Sequence, residues 1–243
     1  MNPSKIIYII TMGWTLIIFG GITYLLTKKQ EFILINGFDK RPEEEKQYLE
    51  ESGYLTALGK VFKLSFWVFA VTFVLGLLPI PYAFEISISL FIVILLFGLV
   101  WVQRFEVPHK RKKMTWIMSS IAVGTVAFIG GISALGYMDN GFIVEDGKFE
   151  ITGMYGVEWK LSDIDEVEMF DTLPEIISKT DGFATSNLLK GKFILEKPYK
   201  KGRLFIQNRD APILCVTKGK DHIFISRKDP EETLQIYKKL QEK

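Results

Sequence analysis

Between Met114 and Met138 the chain carries twenty-five consecutive residues without a charge, directly after the basic run Lys110-Arg111-Lys112-Lys113. About 20 apolar residues wound as a helix match the roughly 30 Å hydrocarbon layer of a bilayer, so this run reads as a membrane span. The other long apolar runs all precede it, and the residues C-terminal to it have the mixed composition of a water-soluble region. The expected architecture is therefore an α-helical four-span region over residues 1–138, followed by a β-rich soluble domain over residues 139–243.

The spans are expected at about residues 6–27, 64–80, 86–103 and 114–138. The first is bounded by Lys5 and Lys28-Lys29 and is longer than the apolar core of a signal peptide, so it reads as a retained span. Pro79 and Pro81 interrupt the short link between the second and third runs, which must then form an antiparallel hairpin. Trp67, Tyr82, Trp101 and Trp116 lie near run ends, where amphipathic rings settle at the membrane surface. The fourth run contains Ser120, Gly124, Gly130, Gly131, Ser133, Ala134 and Gly136; small residues let helices approach closely, so it is expected to pack against its neighbours. None of the four runs has a charged residue in its interior, which argues against a pump or ion-coupled transporter.

Lys and Arg in short connectors are retained on the cytoplasmic side. The first connector has seven (Lys28, Lys29, Lys40, Arg41, Lys46, Lys60, Lys63) and the third has five (Arg104, Lys110, Arg111, Lys112, Lys113), while the hairpin link has none. This count puts the soluble domain outside the cell membrane; a cytoplasmic placement is the alternative. Within the first connector, Asn36-Gly37 is expected to form a turn. Arg41-Pro42-Glu43-Glu44-Glu45 should open a helix that ends near Glu51, because Pro and carboxylates suit a first helical turn. That helix reads as a solvated connector, with a docking helix as the sharper alternative.

Beyond Gly141 the pattern changes to short strand-like runs. Asp146-Gly147 between apolar segments is a hairpin signal, and Lys218-Gly219-Lys220-Asp221 separates the last two runs. Seven or eight such strands are expected to form one antiparallel sheet curled into a barrel or sandwich. A final helix should begin after Asp229 as N-cap, with Pro230 at its first position, Glu232 completing a capping box, and Leu234, Ile236, Tyr237 and Leu240 on its apolar face. The only cysteine, Cys215, sits in the apolar run Ile213–Val216 and reads as a small core residue.

Several segments carry a resemblance. Leu173–Ala184, Lys190-Gly191-Lys192-Phe193, Arg203–Ile206 and Ile225–Thr233 resemble the bacterial pleckstrin-homology-like domains, including the type found in the sublancin immunity protein. The resemblance implies a bent β-rich barrel capped by one C-terminal helix, and a role in binding or bacteriocin immunity without catalysis. At the front, Ile35-Asn36-Gly37-Phe38 followed by Glu43-Glu44-Glu45-Lys46 is similar to a small multi-span bacterial membrane family of unknown function.

Chemistry-bearing patterns are sparse. The two histidines, His109 and His222, have no second ligand near them in sequence, so no metal or cofactor is expected. No phosphate loop of the Gly-x-x-x-x-Gly-Lys-Ser/Thr kind occurs, and no nucleophile has an evident base. Asp163, Asp165, Glu166 and Glu168 lack calcium-loop spacing and read as a solvated strand face. The net charge of +2 does not point to nucleic acid, and no nucleic-acid partner is expected. The recognition surface is expected in a long loop from Thr172 to Lys190, carrying Pro174, Lys179, Gly182, Phe183, Lys190 and Lys192 at or beside it. Lys197, Lys200, Lys201 and Arg203 extend this basic set, either as an anion-binding patch or as a solvated face. The sequence thus predicts a membrane-bound, non-enzymatic binding protein for a protein or peptide partner; the alternative is an assembly subunit of a larger membrane complex or transporter.

Overall fold

The computed structural model describes residues 3–29 and 38–242, and the expected turn at Asn36-Gly37 lies outside them. It divides into two compact units, Ile7–Gly130 and one made up chiefly of Gly131–Lys243.

Among the described residues four helices are long and apolar enough to cross a membrane, and the chain is a membrane protein. They are α1 (Pro3–Tyr24), α3 (Tyr54–Leu75), α4 (Ala83–Val102) and α5 (Pro108–Tyr137), while α2 (Glu43–Glu51) is the short connector helix. The α3–α4 hairpin forms as expected. Val61 meets Gly98, Phe69 meets Phe91 and Gly76 meets Phe84, so contacts run in opposite order along the two helices. Gly98 is required there, because an added Cβ would lie 2.5 Å from the Val61 side chain. Helix α1 joins them through Phe19, whose ring touches Phe62, Phe69 and Phe91.

Two expectations for this unit are corrected. Helix α3 begins at Tyr54, ten residues before the apolar run proper. Its first turns bury Tyr54, Leu55, Leu58 and Val61 against Leu49 of α2 and against Val102 and Val107 at the α4–α5 corner, so tertiary cover extends the helix beyond the charge-free segment. The fourth span is the second correction. No residue of the apolar window of α5 is buried, and Cβ atoms added at Gly124 and Gly130 would meet nothing within 4 Å. Its small-residue face is open at Gly124, Gly130 and Gly131, whereas Gly136 at its end is buried.

A polar cluster ties the first and third connectors together. Arg41 donates from both guanidinium ends to the Glu106 carboxylate, at 2.6 and 3.0 Å, and Glu106 is fully buried. Lys110 pairs with Glu45 at 2.6 Å, His109 approaches the same carboxylate at 3.3 Å, and Ser52 donates to the Phe105 carbonyl. The Lys110 ammonium holds the Glu45 carboxyl below its usual range, and the Glu106 partner raises Arg41. Two connectors pinned in this way share one membrane face.

The second unit holds nine strands and helix α6 (Pro230–Gln241). Strands β1 (Phe142–Glu145), β2 (Lys148–Ile151) and β3 (Val157–Lys160) form a three-stranded meander. Its first turn is the expected Asp146-Gly147, with φ of 50° and 70°. A six-stranded sheet comes next, in the order β4-β8-β9-β7-β6-β5, from β4 (Glu166–Phe170), β5 (Ile176–Ala184), β6 (Leu189–Leu195), β7 (Lys201–Ile206), β8 (Ile213–Lys218) and β9 (Asp221–Ser226). The region is β-rich and ends in one helix as expected. It is not one antiparallel sheet, however: there are two, and β7 pairs with β9 in parallel, because the β8–β9 hairpin inserts between β4 and β7.

The larger sheet is buried on both faces. One face gives Phe205, Leu214, Val216, Ile223 and Ile225 to a core shared with Phe149, Ile151 and Trp159 of the meander and with Ile236 and Leu240 of α6. The other gives Phe193, Leu204, Ile206, Ile213 and Phe224, covered by Phe170, Leu173, Ile176 and Tyr199. Cys215 belongs to this second core, and burial pushes its thiol up to about 11. Asp229 caps α6 by accepting from the Glu231 N–H, but Glu232 does not complete a capping box. Its carboxylate accepts from Arg227 at 2.8 Å instead.

Candidate functional site

The long recognition loop expected from Thr172 to Lys190 is corrected, because nine of its residues form strand β5. Its register on β6 shifts between Ile176 and Ser178 and again between Lys179 and Asp181. Bulges break the alternation by which strands are recognised, so the sequence read as a loop. The strand lies at the edge of the sheet, bonded on one side to β6, and presents main-chain groups on the other.

The six residues expected at the recognition surface separate into distinct roles. Phe183 packs its ring edge-on against Tyr137 at 5.1 Å and covers Gly136, where an added Cβ would lie 2.4 Å from the ring. Lys190 is 4% exposed and donates to the Met138 carbonyl; burial lowers its pKa. These two dock the end of α5 onto the sheet. Gly182 faces Gly191 across the strand pair, where a Cβ would fall 2.3 Å from the Lys190 carbonyl oxygen, so it serves the close approach of β5 to β6. Pro174 is half-buried ahead of β5, and Lys179 is exposed on it. Lys190 borders a small cavity beside Asp139 and Arg227, and Lys192 lines a larger one.

That cavity is a groove of about 360 Å³ where the meander ends over the large sheet. Lys192 of β6 stands directly across from Arg203 of β7, and Arg203 stands across from Ile223 of β9. Two cations are thus side by side on one face, with Lys201 at the strand end and Trp159 of β3 as the apolar wall. Thr180 brings β5 to the rim, its hydroxyl donating to the Lys192 carbonyl at 2.9 Å. Arg203 donates to the Gly156 carbonyl at 3.1 Å, which fixes the guanidinium toward the meander. Among the described residues, no carboxylate forms an ion pair with Lys192, Lys201 or Arg203; Asp221 is the acidic residue of the lining. His222 completes the groove, held by Thr217 at 3.2 Å and edge-on to Tyr199, and burial lowers its pKa. A positively charged slot with one aromatic wall suits a carboxylate- or phosphate-bearing chain segment.

Sequence reasoning placed Lys192, Lys201 and Arg203 in one basic set but missed Trp159, Thr180 and His222. The available signal was positional. Lys192 and Arg203 both alternate with buried apolar residues, but pairing them requires the β6–β7 register. Lys179, Lys197 and Lys200 are exposed outside the groove. Of the acidic cluster, Asp163 pairs with Lys218 at 2.7 Å and Asp165 accepts from the Gly219 N–H. Among the described residues no group of three or more His, Cys, Asp or Glu could hold a metal ion.

A second cavity, of about 380 Å³, adjoins the Asp139–Arg227 pair. Arg227 donates to both carboxylate oxygens of Asp139 at 2.7 and 2.8 Å, and Gln207 donates to the same group. The guanidinium holds the Asp139 carboxyl down at about 2. The Arg227 charge is satisfied internally, so the network orders the start of the unit and leaves the Lys192–Arg203 groove as the candidate site.

Residues 8–106 match the family model described as Domain of unknown function (DUF3784). The match covers most of α1, then α2, α3 and α4, so the likeness of the front of the chain to a membrane family of unknown function stands at that level. No curated protein and no solved structure matches the chain.

Proposed function

We propose that this is a non-enzymatic integral membrane protein whose C-terminal β-rich region is a pleckstrin-homology-like binding module for an acidic protein or peptide segment. The observation that carries the reading is the groove in which Lys192 and Arg203 are cross-strand neighbours without a carboxylate partner among the described residues. The β5 edge adjoins it at Thr180, so an extended segment could add main-chain bonds there while its acidic side chains enter the groove. The bulges and Lys179 leave little continuous edge, which puts most of the specificity in the groove. Two placements support the non-catalytic reading: Cys215 is in the core, and His222 is held between Thr217 and Tyr199.

Envelope defence or bacteriocin immunity is a compatible setting for such a module, and the Lys/Arg count favours a position outside the cell. The groove's sign favours an acidic protein segment over direct capture of a cationic peptide. The test uses the full chain in phosphatidylcholine nanodiscs with a fluorescent extended Glu-rich peptide. Binding should weaken as salt rises and fall about tenfold or more in the Lys192→Glu/Arg203→Glu variant. Equal binding by both proteins removes the groove from the proposal. A deletion strain with unchanged sensitivity to a broad panel of membrane-active peptides removes the immunity setting. The second reading, an assembly subunit, is favoured by the open small-residue face of α5; a strictly monomeric particle in mild detergent counts against it.

A further inference from the structure

The membrane unit carries cations of two kinds. At the α2 and α4–α5 corner they are paired: Arg41 with Glu106, Lys46 with Glu43, Lys110 with Glu45. Lys60 and Lys63, one turn apart on α3 and both exposed, have no ion-pair partner among the described residues. They line a cleft of about 470 Å³ between the end of the first span and the start of α3, together with Thr27, Thr56 and, on the α2 side, Glu50.

The depth of this cleft is set by the sequence. Lys63 immediately precedes the charge-free run of α3, and Thr27 closes the charge-free run of α1 just before Lys28. Both walls therefore change from apolar to charged at the same level, which is where a bilayer changes from hydrocarbon to headgroups. On the neighbouring flank of α3, that helix and α4 form a second, apolar groove of about 350 Å³, lined by Val61, Leu64, Ile94, Phe97 and Trp101. Lys60 stands between the two cavities and lines both. Leu64 and Phe97 are 55% and 71% exposed, so this groove opens to the surrounding hydrocarbon.

We propose that this pair of cavities is a seat for one anionic phospholipid, its phosphate against Lys60 and Lys63 and one acyl chain along the Leu64–Phe97 groove. Charge complementarity selects the headgroup, since basic pockets between spans bind anionic lipids. The apolar groove selects an amphiphile over a soluble anion. Glu50 refines the choice: its carboxylate opposes a highly charged headgroup and accepts hydrogen bonds from a hydroxyl-bearing one, so phosphatidylglycerol is the probe.

The experiment is a titration of the delipidated full chain in detergent, read by native mass spectrometry. Phosphatidylglycerol should bind more tightly than phosphatidylcholine, by about fivefold for each lysine that meets the phosphate. Lys60→Gln/Lys63→Gln should remove that preference. Lys112→Gln/Lys113→Gln, in the basic collar outside the cleft, should keep it. Leu64→Trp changes a lipid-exposed side chain and fills the groove, and should weaken phosphatidylglycerol binding while both lysines remain. Glycerol phosphate should not compete. The proposal is overturned by equal affinity for the two lipids, by a preference that survives in the Lys60/Lys63 variant or falls equally in the collar variant, or by full competition from glycerol phosphate.

Discussion

The two units place the same residue types in opposite positions. In the membrane unit Phe97 and Trp116 are 71% and 69% exposed while the Glu106 carboxylate is fully buried; in the C-terminal unit Phe149 and Phe224 are fully buried. Each unit also has one Arg that grips a carboxylate with both ends of its guanidinium. Arg41 holds Glu106 inside a protein core, whereas Arg227 holds an Asp139 whose side chain remains 57% exposed. The contrast shows what each solvent leaves for the protein to do. In lipid, apolar surface gains nothing from burial, so polar pairing and close helix contact specify the packing. In water, apolar burial drives folding and surface charges adjust it.

The largest effect that tests this contrast is expected in the water-soluble core. Phe224→Ala removes a fully buried ring and should destabilise the C-terminal unit by about 4 kcal/mol, measured as a lowered unfolding midpoint of the full chain in detergent. The equivalent change at Phe97 should leave stability nearly unchanged, and a large loss there would refute a lipid-facing α4. Next is Arg41→Ala, which strands a buried carboxylate and should cost about 3 kcal/mol. Proteolysis of the first connector would report it, and unaltered protection would mean that Glu106 does not depend on Arg41.

Asp139→Asn should have a smaller effect, about 1 kcal/mol, because the Asp139 side chain is more than half exposed and its charge is screened by water. Its pH dependence is specific. The folded carboxyl is held at about 2, below the usual 3.8, so its contribution is fully present above pH 3.8 and is lost as pH falls toward 2. Wild type should lose stability in that window by more than the Asn variant does, and parallel titrations would remove Asp139 from the account. The smallest effect concerns Cys215, which should resist thiol reagents in the folded protein because it is buried and its thiol is pushed up to about 11. That silence makes Lys220→Cys a clean reporter of sidedness. The Lys/Arg count predicts labelling by an impermeant reagent in intact cells, and labelling only after lysis would place the domain inside.

Much of the fold was legible where a local rule decides it. The α3–α4 hairpin comes from Pro79 and Pro81, the β1–β2 turn from Asp146-Gly147, and the start of α6 from Asp229-Pro230. Less was legible where remote residues decide. Strand β5 is bulged, and nothing within Ile176–Ala184 shows that β6 lies ready to pair with it. The recognition residues were mixed for the same reason. Phe183 and Lys190 look exposed in a polar segment, yet they meet Tyr137 and Met138, more than forty residues away.

The sequence by itself determined that the chain enters a membrane through four apolar helices and ends in a β-rich region closed by one helix, because hydrophobic run length and turn chemistry act over a few neighbouring residues. Only the tertiary structure decided which cations are paired among the described residues. Lys110 and Lys60 are indistinguishable as letters; one lies against Glu45 and the other lines an open cleft. Ion pairing and groove formation depend on distances between segments far apart in the chain, and folding alone sets those distances.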